Sequence, residues 1–385
     1  MLNLSQNGCS LWVASSTELA LTPTAVALGK FDGVHLGHQR VIQPVLQPAR
    51  RDKAMENEYP PLRADQGKWE DGENVVPGLP DRSTSSSPVD NLPAQERIYS
   101  TVVTFHPHPQ EFFSGQPRCL LTPLDEKVAQ LRSLGIEQLV LLPFDKELSA
   151  LSPEEFVEKI LVQQLQCQQI SVGQDFCFGK QRTGTAEGLQ KLAAKYHIPV
   201  TIVPLRTYVG SNNLPEEDSC DRVSTDQEPT ISTSLIRHTL ETGDIKSANL
   251  LLGRPYTLYG IVIPGQQRGR TIGFPTANLQ LPKDKFLPRL GVYAVRVFIL
   301  SDTGEQSVDT VCLGAMNIGN RPTVQGTETT VEVHLFDWSG DLYNRKLAVQ
   351  LVEFLRPEQK FPDLAALKTQ IQLDCAIARE VLSTQ

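Results

Sequence analysis

No Cys-x-x-Cys pair occurs in this sequence. Its seven cysteines, at positions 9, 119, 167, 177, 220, 312 and 375, are odd in number and widely scattered. That usage argues against a disulfide framework and against a structural zinc site. It fits a reducing compartment, and a cytoplasmic location is expected. No apolar run approaches the roughly 18 residues of a membrane span, so no membrane partner is expected. Residues 1–20 hold no basic stretch followed by an apolar core, so no secretory signal is expected either. Positive charge is the scarcer sign: 36 Lys+Arg against 44 Asp+Glu give a net charge of -8. This speaks against a nucleic-acid partner. Two common nucleotide-binding fingerprints are missing as well. There is no Gly-x-Gly-x-x-Gly. The stretch from Gly173 to Lys180 fails the P-loop template, because five residues separate its glycines and Gln181 stands where Ser or Thr is needed.

What is present is an ordinary globular composition, with 40% hydrophobic and 21% charged residues in 385. At about 150 residues per domain, two or three domains are expected. The acidity is localised. Residues 51–97 carry six basic and ten acidic side chains, and residues 209–230 carry one and six. With both segments set aside, the remainder has a net charge of +1. The first segment holds six of the 27 prolines, the run Ser83 to Ser87 and no sustained apolar periodicity. It reads as a disordered insertion, because too little apolar surface is available to offset the entropy of ordering it. The second reads as an acidic loop of the same kind.

Between these segments, short apolar runs alternate with helical spacing. Ala25–Leu28, Thr101–Phe105, Gln138–Leu142, Ile170–Val172 and Pro199–Val203 read as strands. His38–Leu46, Asp125–Leu134, Pro153–Leu165 and Leu189–Tyr196 read as helices; Ser152, Pro153 and Glu155 form a capping-box signature. The alternation predicts an α/β domain, with a parallel sheet and helices on both faces. From Thr257 onward the pattern changes to β-rich runs, namely Thr257–Ile263, Val292–Leu300, Asp309–Leu313, Thr329–Phe336 and Leu347–Phe354. An amphipathic helix over Asp363–Leu382 follows. A small antiparallel β-barrel is expected there. The boundary is placed near residue 250, giving domains 1–250 and 251–385.

The first chemical candidate follows the first strand directly: Gly29-Lys30-Phe31-Asp32-Gly33-Val34-His35-Leu36-Gly37-His38. A strand-to-helix junction offers unpaired N–H groups to a phosphate. Two histidines three apart can donate to phosphate oxygens and stabilise charge that develops during in-line attack. A bare His-x-x-His also fits a metal pair or two surface histidines. The strand, the glycines and Asp32 favour the phosphate reading. Far downstream, Ser232, Thr233 and Ser234 precede a helix that carries Arg237, a combination suited to the β- and γ-phosphates. Alone, such hydroxyls are ordinary helix caps. Together, the two elements resemble the nucleotidylyltransferase superfamily.

The second candidate is Gly269-Arg270-Thr271-Ile272-Gly273-Phe274-Pro275-Thr276-Ala277-Asn278. Thr276 and Asn278, two apart on extended chain, point the same way, and their oxygens suit Mg²⁺ held by triphosphate oxygens. Glu332, within Thr330–His334, could serve as base for an alcohol. From the residues alone, Glu332 can equally be a solvated strand residue and Thr276–Asn278 a turn.

Both candidates in this order resemble the bifunctional bacterial riboflavin kinase/FMN adenylyltransferases, the prokaryotic FAD synthetases. The resemblance covers nearly the whole chain outside the two acidic segments. It is carried by residues 29–38, Thr-Phe-His-Pro-His-Pro (104–109), Val-Gly-Gln-Asp-Phe-Cys-Phe-Gly-Lys (172–180), Arg182-Thr183-Gly184 and Gly-Phe-Pro-Thr-Ala-Asn (273–278). Asn-Ile-Gly-Asn-Arg-Pro-Thr (317–323) and Arg-Pro-Glu-Gln-Lys-Phe (356–361) complete the set. The resemblance implies that the barrel converts riboflavin and ATP to FMN, with Mg²⁺ on Thr276 and Asn278, ATP near Gly269, Arg270, Gly273 and Pro275, and Glu332 as base. It implies that the N-terminal domain converts FMN and ATP to FAD and pyrophosphate, with His35 and His38 at the transition state. There ATP would lie among Gly29, Phe31, Asp32, Gly33, Asp175, Phe178, Ser232, Thr233, Ser234 and Arg237. The flavins would lie near Phe105 and Pro107 in the first domain and near Arg321 and Arg356 in the second. A monomer or weak homo-oligomer is expected.

The sequence departs from the family pattern at three places. Ser234 stands where Thr is usual and keeps the hydroxyl. His106 stands where an acidic residue is common. Asn344 replaces a usual Gly, and Asn is the next-best residue if the backbone there needs positive φ. Two other functions stay open at this point: a nucleotidylyltransferase for another phosphate acceptor with a spectator barrel, and a flavin-binding regulator without catalysis.

Overall fold

A computed structural model of the chain describes residues 11–46, 97–207, 230–265, 268–301, 308–323 and 326–384. Apart from Arg97 and Thr230, the two expected unstructured segments lie outside these residues.

The N-terminal half opens with strands β1 (Trp12–Ala14) and β2 (Thr24–Leu28) and the short helix α1 (Leu36–Ile42). Then come β3 (Tyr99–His106), helices α2 (Pro109–Ser114) and α3 (Leu124–Ser133), and β4 (Gln138–Pro143). Helix α4 (Lys146–Ala150) precedes α5 (Pro153–Glu155), which continues as π-type turns over Phe156–Gln164. The capping box is present: Ser152 Oγ accepts from Glu155 N, and the Glu155 carboxylate accepts from Ser152 N. Strand β5 (Cys167–Gly173), the small hairpin β6 (Cys177–Phe178) and β7 (Gly184–Thr185), helix α6 (Ala186–Ala194) and β8 (Val200–Val203) complete the sheet region. The six main strands are all parallel, in the order β1-β4-β3-β2-β5-β8.

Alternation along each strand feeds two cores. Val26, Leu28, Val103, Val140 and Ile170 pack with residues of α5 and α6 on one face. Ala25, Ala27, Val102, Leu139 and Leu141 pack with residues of α1 and α3 on the other. Every residue of β2 is buried, as a central strand covered on both faces must be. Strand order reverses at β2, which has β3 on one side and β5 on the other. The carboxyl end of β2 is therefore where a ligand crevice is expected.

Helices α7 (Thr233–Thr242) and α8 (Ile245–Leu252) lead into the second half. Strand β9 (Thr257–Ile263), the turn of helix α9 (Arg268–Thr271), β10 (Ala277–Gln280), β11 (Gly291–Leu300), β12 (Val308–Thr323), β13 (Gly326–Leu335) and β14 (Lys346–Arg356) follow, and α10 (Leu364–Ser383) ends the chain. The six strands close into an antiparallel barrel in the order β10-β13-β12-β11-β14-β9. Leu258, Leu279, Val295, Met316, Val331 and Val333 fill its interior, together with Leu347, Val349 and Leu351 of β14. The same buried cluster takes in Ile236 and Leu240 of α7 and Leu251 and Leu252 of α8. Helix α10 covers the outside, with Ala378 and Leu382 against Ala294, Phe336 and Val352.

Candidate active sites

The loop after β2 is held in an unusual backbone path. Phe31 (φ 50) and Val34 (φ 41) adopt positive φ without being glycine, and Gly33 (φ 94) lies between them. Such geometry persists only where surroundings over-determine it. Here they do. Asp32 Oδ1 accepts from Leu121 N (2.7 Å) and Thr122 N (3.2 Å), and Gly33 N donates to Thr122 Oγ1 (2.9 Å). Arg254, just past α8, donates to Gly33 O (2.7 Å) and Val34 O (3.2 Å).

The loop delivers the two histidines as a stacked pair, with ring centroids 3.6 Å apart and planes 19° apart. His35 caps α1: its Nδ1 accepts from His38 N at 3.3 Å. That bond fixes the tautomer and leaves the proton on Nε2. Burial pushes the His35 pKa from 6.5 down to about 4, with Asp32 opposing and Arg254 assisting. Burial and then the neighbouring His35 hold His38 well below its ordinary value. Both rings are therefore neutral near pH 7. The His38 Nδ1 atom is buried with no hydrogen-bond partner among the described residues. Gly37 serves this stack, since a Cβ there would sit 3.1 Å from two atoms of the His35 ring.

Helix α7 brings the distant hydroxyls and the arginine to the same place. Ser232 caps it by accepting from Leu235 N at 3.2 Å, and Thr233 Oγ1 donates to Asp32 O at 3.0 Å. Arg237 Nη2 pairs with Asp32 Oδ2 at 2.9 Å and donates to Cys119 O at 2.5 Å. Ser234 is exposed on the first turn. The Asp32 carboxylate is thus spent on the protein itself. It orients Arg237 and pins residues 121–122. Phe178 is 5% exposed and packs on Phe156 and Phe176 as part of the core. Asp175 is exposed beside Gly173. Gly29 lies against the Phe31 ring. Phe105 meets Phe144 edge-on, and the rings of Phe112 and Phe113 join them beyond Pro107.

The second constellation lies on the outer face of the barrel. Residues 331, 333 and 335 of β13 point inward, so Glu332 points out. Asn278 on β10 and Asn317 on β12 stand directly opposite Glu332 in register. Thr276 Oγ1 lies 3.4 Å from Glu332 Oε2. His334 Nδ1 donates to Pro275 O at 2.8 Å and steadies the approach to β10. Glycines clear space here: a Cβ on Gly265 would fall 2.1 Å from the Asn278 amide, and one on Gly269 2.2 Å from Phe274 O. Gly273 adopts φ +90. Arg270 lies in α9 and Arg321 in β12. Arg356 is engaged elsewhere. It grips buried Asp374 of α10 in a two-pronged pair, Nε–Oδ1 2.8 Å and Nη2–Oδ2 2.7 Å.

Comparison with known proteins matches both halves. The riboflavin kinase family model matches residues 252–382, and the FAD synthetase model matches 18–57 and 88–213. The chain is 32% identical to the bifunctional riboflavin kinase/FMN adenylyltransferase of Bacillus subtilis, over 91% of this chain and 90% of that protein. It is 34% identical to the protein of that name from Pseudomonas fluorescens, over 91% of each. The chain belongs to this family. A crystal structure described as a macrolide-efflux protein from Streptococcus pneumoniae superposes with a TM-score of 0.69 at 26% identity, covering 96% of this chain and 98% of that one. Among the described residues, no helix is long and apolar enough to cross a membrane.

Within this family member, several site groups escaped the sequence reading. Lys127 Nζ is buried and donates to Lys30 O at 3.3 Å; burial lowers its pKa, and Asp32 opposes the shift. His108 caps α2 and is pushed to about 4 by burial, then by Arg118 and Lys30. Arg118 bonds Gln110. Lys127 and Arg254 lie beside His38, and Arg118 and Lys30 beside His108, so the first site is electropositive. Lys127 left one readable signal: it lies on the Leu124–Val128–Leu131 stripe of α3, where a solvated lysine does not belong. Asn317 stood inside a quoted motif without a role.

Proposed function

We propose that this chain phosphorylates riboflavin to FMN on the barrel and adenylylates FMN to FAD at the carboxyl end of β2, using ATP in both steps. The reading is supported most by one observation: two chemically complete and separate constellations stand on the two halves that the two family models match. At the first site, a phosphate oxygen of FMN attacks the α-phosphorus of ATP, and the bond to the bridging oxygen breaks to release pyrophosphate. The neutral imidazoles of His35 and His38 donate N–H groups to the oxygens that gain charge. Ser232, Thr233, Ser234 and Arg237 hold the β- and γ-phosphates.

At the second site, Glu332 accepts the proton of the ribityl 5′-hydroxyl as that oxygen attacks the γ-phosphorus and ADP leaves. Thr276 and Asn278 offer hard oxygen donors, and they fit Mg²⁺ bound largely through substrate phosphates. The ion would offset charge on the triphosphate, and Thr276 and Asn278 would orient it.

Purified protein incubated with riboflavin, ATP and Mg²⁺ is expected to yield FMN first and FAD after it, as separated by chromatography. His38→Ala is expected to lower FAD formation by about 10²–10³-fold, the usual scale for losing a transition-state donor, and to leave FMN formation intact. Glu332→Ala is expected to lose FMN formation and keep FAD formation from supplied FMN. Either change abolishing both activities in a folded protein would overturn the assignment of two sites.

A further inference from the structure

Arg237 is held by two acceptors at one corner, Asp32 Oδ2 and Cys119 O. Two contacts on one nitrogen do not fix the tilt of a guanidinium plane. A third contact does, and it comes from the other half of the chain: the Arg237 guanidinium carbon lies over the Phe286 ring, 4.6 Å from its centroid. Phe286 belongs to the connection between β10 and β11 of the barrel. That connection is docked on the N-terminal half by its backbone, with Leu120 N donating to Asp284 O at 2.6 Å and Phe286 N to Leu120 O at 2.9 Å. Tyr256 Oη donates to Phe286 O at 2.6 Å and secures it from the barrel side. Buried Lys285 adds bonds to Leu121 O (2.9 Å) and Glu126 Oε2 (2.5 Å). The same residues 119–122 therefore carry Asp32 and Arg237 on one side and the barrel connection on the other.

We infer that Phe286, a residue of the kinase half, is a positioning residue for adenylyl transfer. It covers one face of Arg237 and sets the plane in which the guanidinium meets the triphosphate. The inference rests on the proposed role of Arg237. The geometry suits that role: a planar fork recognises phosphate oxygens in its own plane, so tilt governs how well it binds. The Arg237 Nε is buried and has no hydrogen-bond partner among the described residues. All of its hydrogen bonds among the described residues leave from Nη2, so the remaining N–H groups are not consumed by the protein. An aromatic ring sustains the stack through its negative face, which an aliphatic side chain of similar size lacks.

The test uses the full chain with Phe286→Ala, Phe286→Leu and Phe286→Tyr. FAD formation from supplied FMN is measured across ATP concentrations, and FMN formation from riboflavin is measured on the same preparations. Phe286→Ala is expected to raise the KM for ATP in FAD formation by about tenfold, within the range that loss of a cation–π contact allows. Phe286→Leu, which keeps apolar packing, is expected to stay impaired, and Phe286→Tyr to recover. The kinase constants stay as in the unsubstituted protein. An unchanged KM for ATP in Phe286→Ala would overturn the inference. So would full recovery in Phe286→Leu, or a parallel loss of both activities, since each marks a packing role only. A failure of the underlying reading looks different: Arg237→Ala would then bind ATP in FAD formation as well as the unsubstituted chain does.

Discussion

Three imidazoles around the first site are kept neutral by burial: His35 and His108 at about 4, and His38 well below the ordinary 6.5. The consequence for stability has a definite sign. Between the ordinary value and the depressed one, the unfolded chain binds protons that the folded chain does not, so stability rises with pH across that window. The contribution is fully present above about 6.5 and is lost as pH falls through 4. The thermal midpoint is therefore expected to drop between pH 7 and pH 4.5. His108→Asn removes one titrating group while supplying a good helix cap, and it is expected to show a shallower decline. An identical slope in that variant would remove His108 from the account. At this scale the sequence singled out His35, His38 and Arg237, because strand, glycine and helix-start signals sit beside them, and the fold brings all three around the loop after β2. It did not expose Arg254 or Phe286, whose contacts with Gly33 and Arg237 join residues distant in sequence. Nor did it show that Asp32 and Phe178 make contacts within the fold, since spacing cannot tell a side chain facing a ligand from one facing the fold.

Strands β2, β3, β4, β5 and β8 and helices α1, α3, α5 and α6 were legible because each is continuous and bounded by a turn residue; the short helices α2 and α4 were not. Five of the barrel's six strands were legible as runs; β10 (Ala277–Gln280), four residues long, was not, and the extent of β12 was missed. Asp309–Leu313 is only the first part of β12, which continues to Thr323 through Asn317, Gly319, Asn320 and Pro322. Those residues signal a loop locally, and pairing with β11 and β13 overrides them. The edge strand β1, three residues long, gave no signal at all. One local inference survived in detail. Asn344 stands where a glycine was expected if φ is positive, and its φ is 63. Its turn is locked to β9 by Asn344 N to Val262 O at 2.9 Å and Val262 N to Arg345 O at 3.0 Å. Because the backbone cannot relax there, Asn344→Ala is expected to cost about 1 kcal/mol, the penalty for a left-handed residue with a Cβ and no local hydrogen bond. Asn344→Gly is expected to be neutral within a few tenths. Urea unfolding of the two variants measures both, and equal stability would show that the turn tolerates either geometry.

The two halves are chemically separate but mechanically joined. Helices α7 and α8 share one buried cluster with the barrel, yet α7 carries Ser232, Thr233 and Arg237 to the first site. The firmest tie is the pair Lys285–Glu126 at 2.5 Å, with side chains 1% and 9% exposed. Burial pushes the lysine pKa down and the glutamate pKa up, each against the other's charge. Neither ion would be stable there alone. The lysine also lies over the Tyr256 ring, 4.5 Å from its centroid, so it meets the barrel and α3 together. Lys285→Met strands a buried carboxylate and is expected to destabilise the chain by about 3–5 kcal/mol. Adding Glu126→Leu removes the stranded charge, and the double variant is expected to regain most of that loss, because an apolar pair of similar volume can replace a buried ion pair. Leu121 O loses its donor in both variants, so recovery should stop short of the original stability. Denaturant unfolding of the two single variants and the double gives the coupling directly. If the double variant is as unstable as Lys285→Met, the ammonium's bonds to the backbone and the ring hold the halves together, and the carboxylate does not.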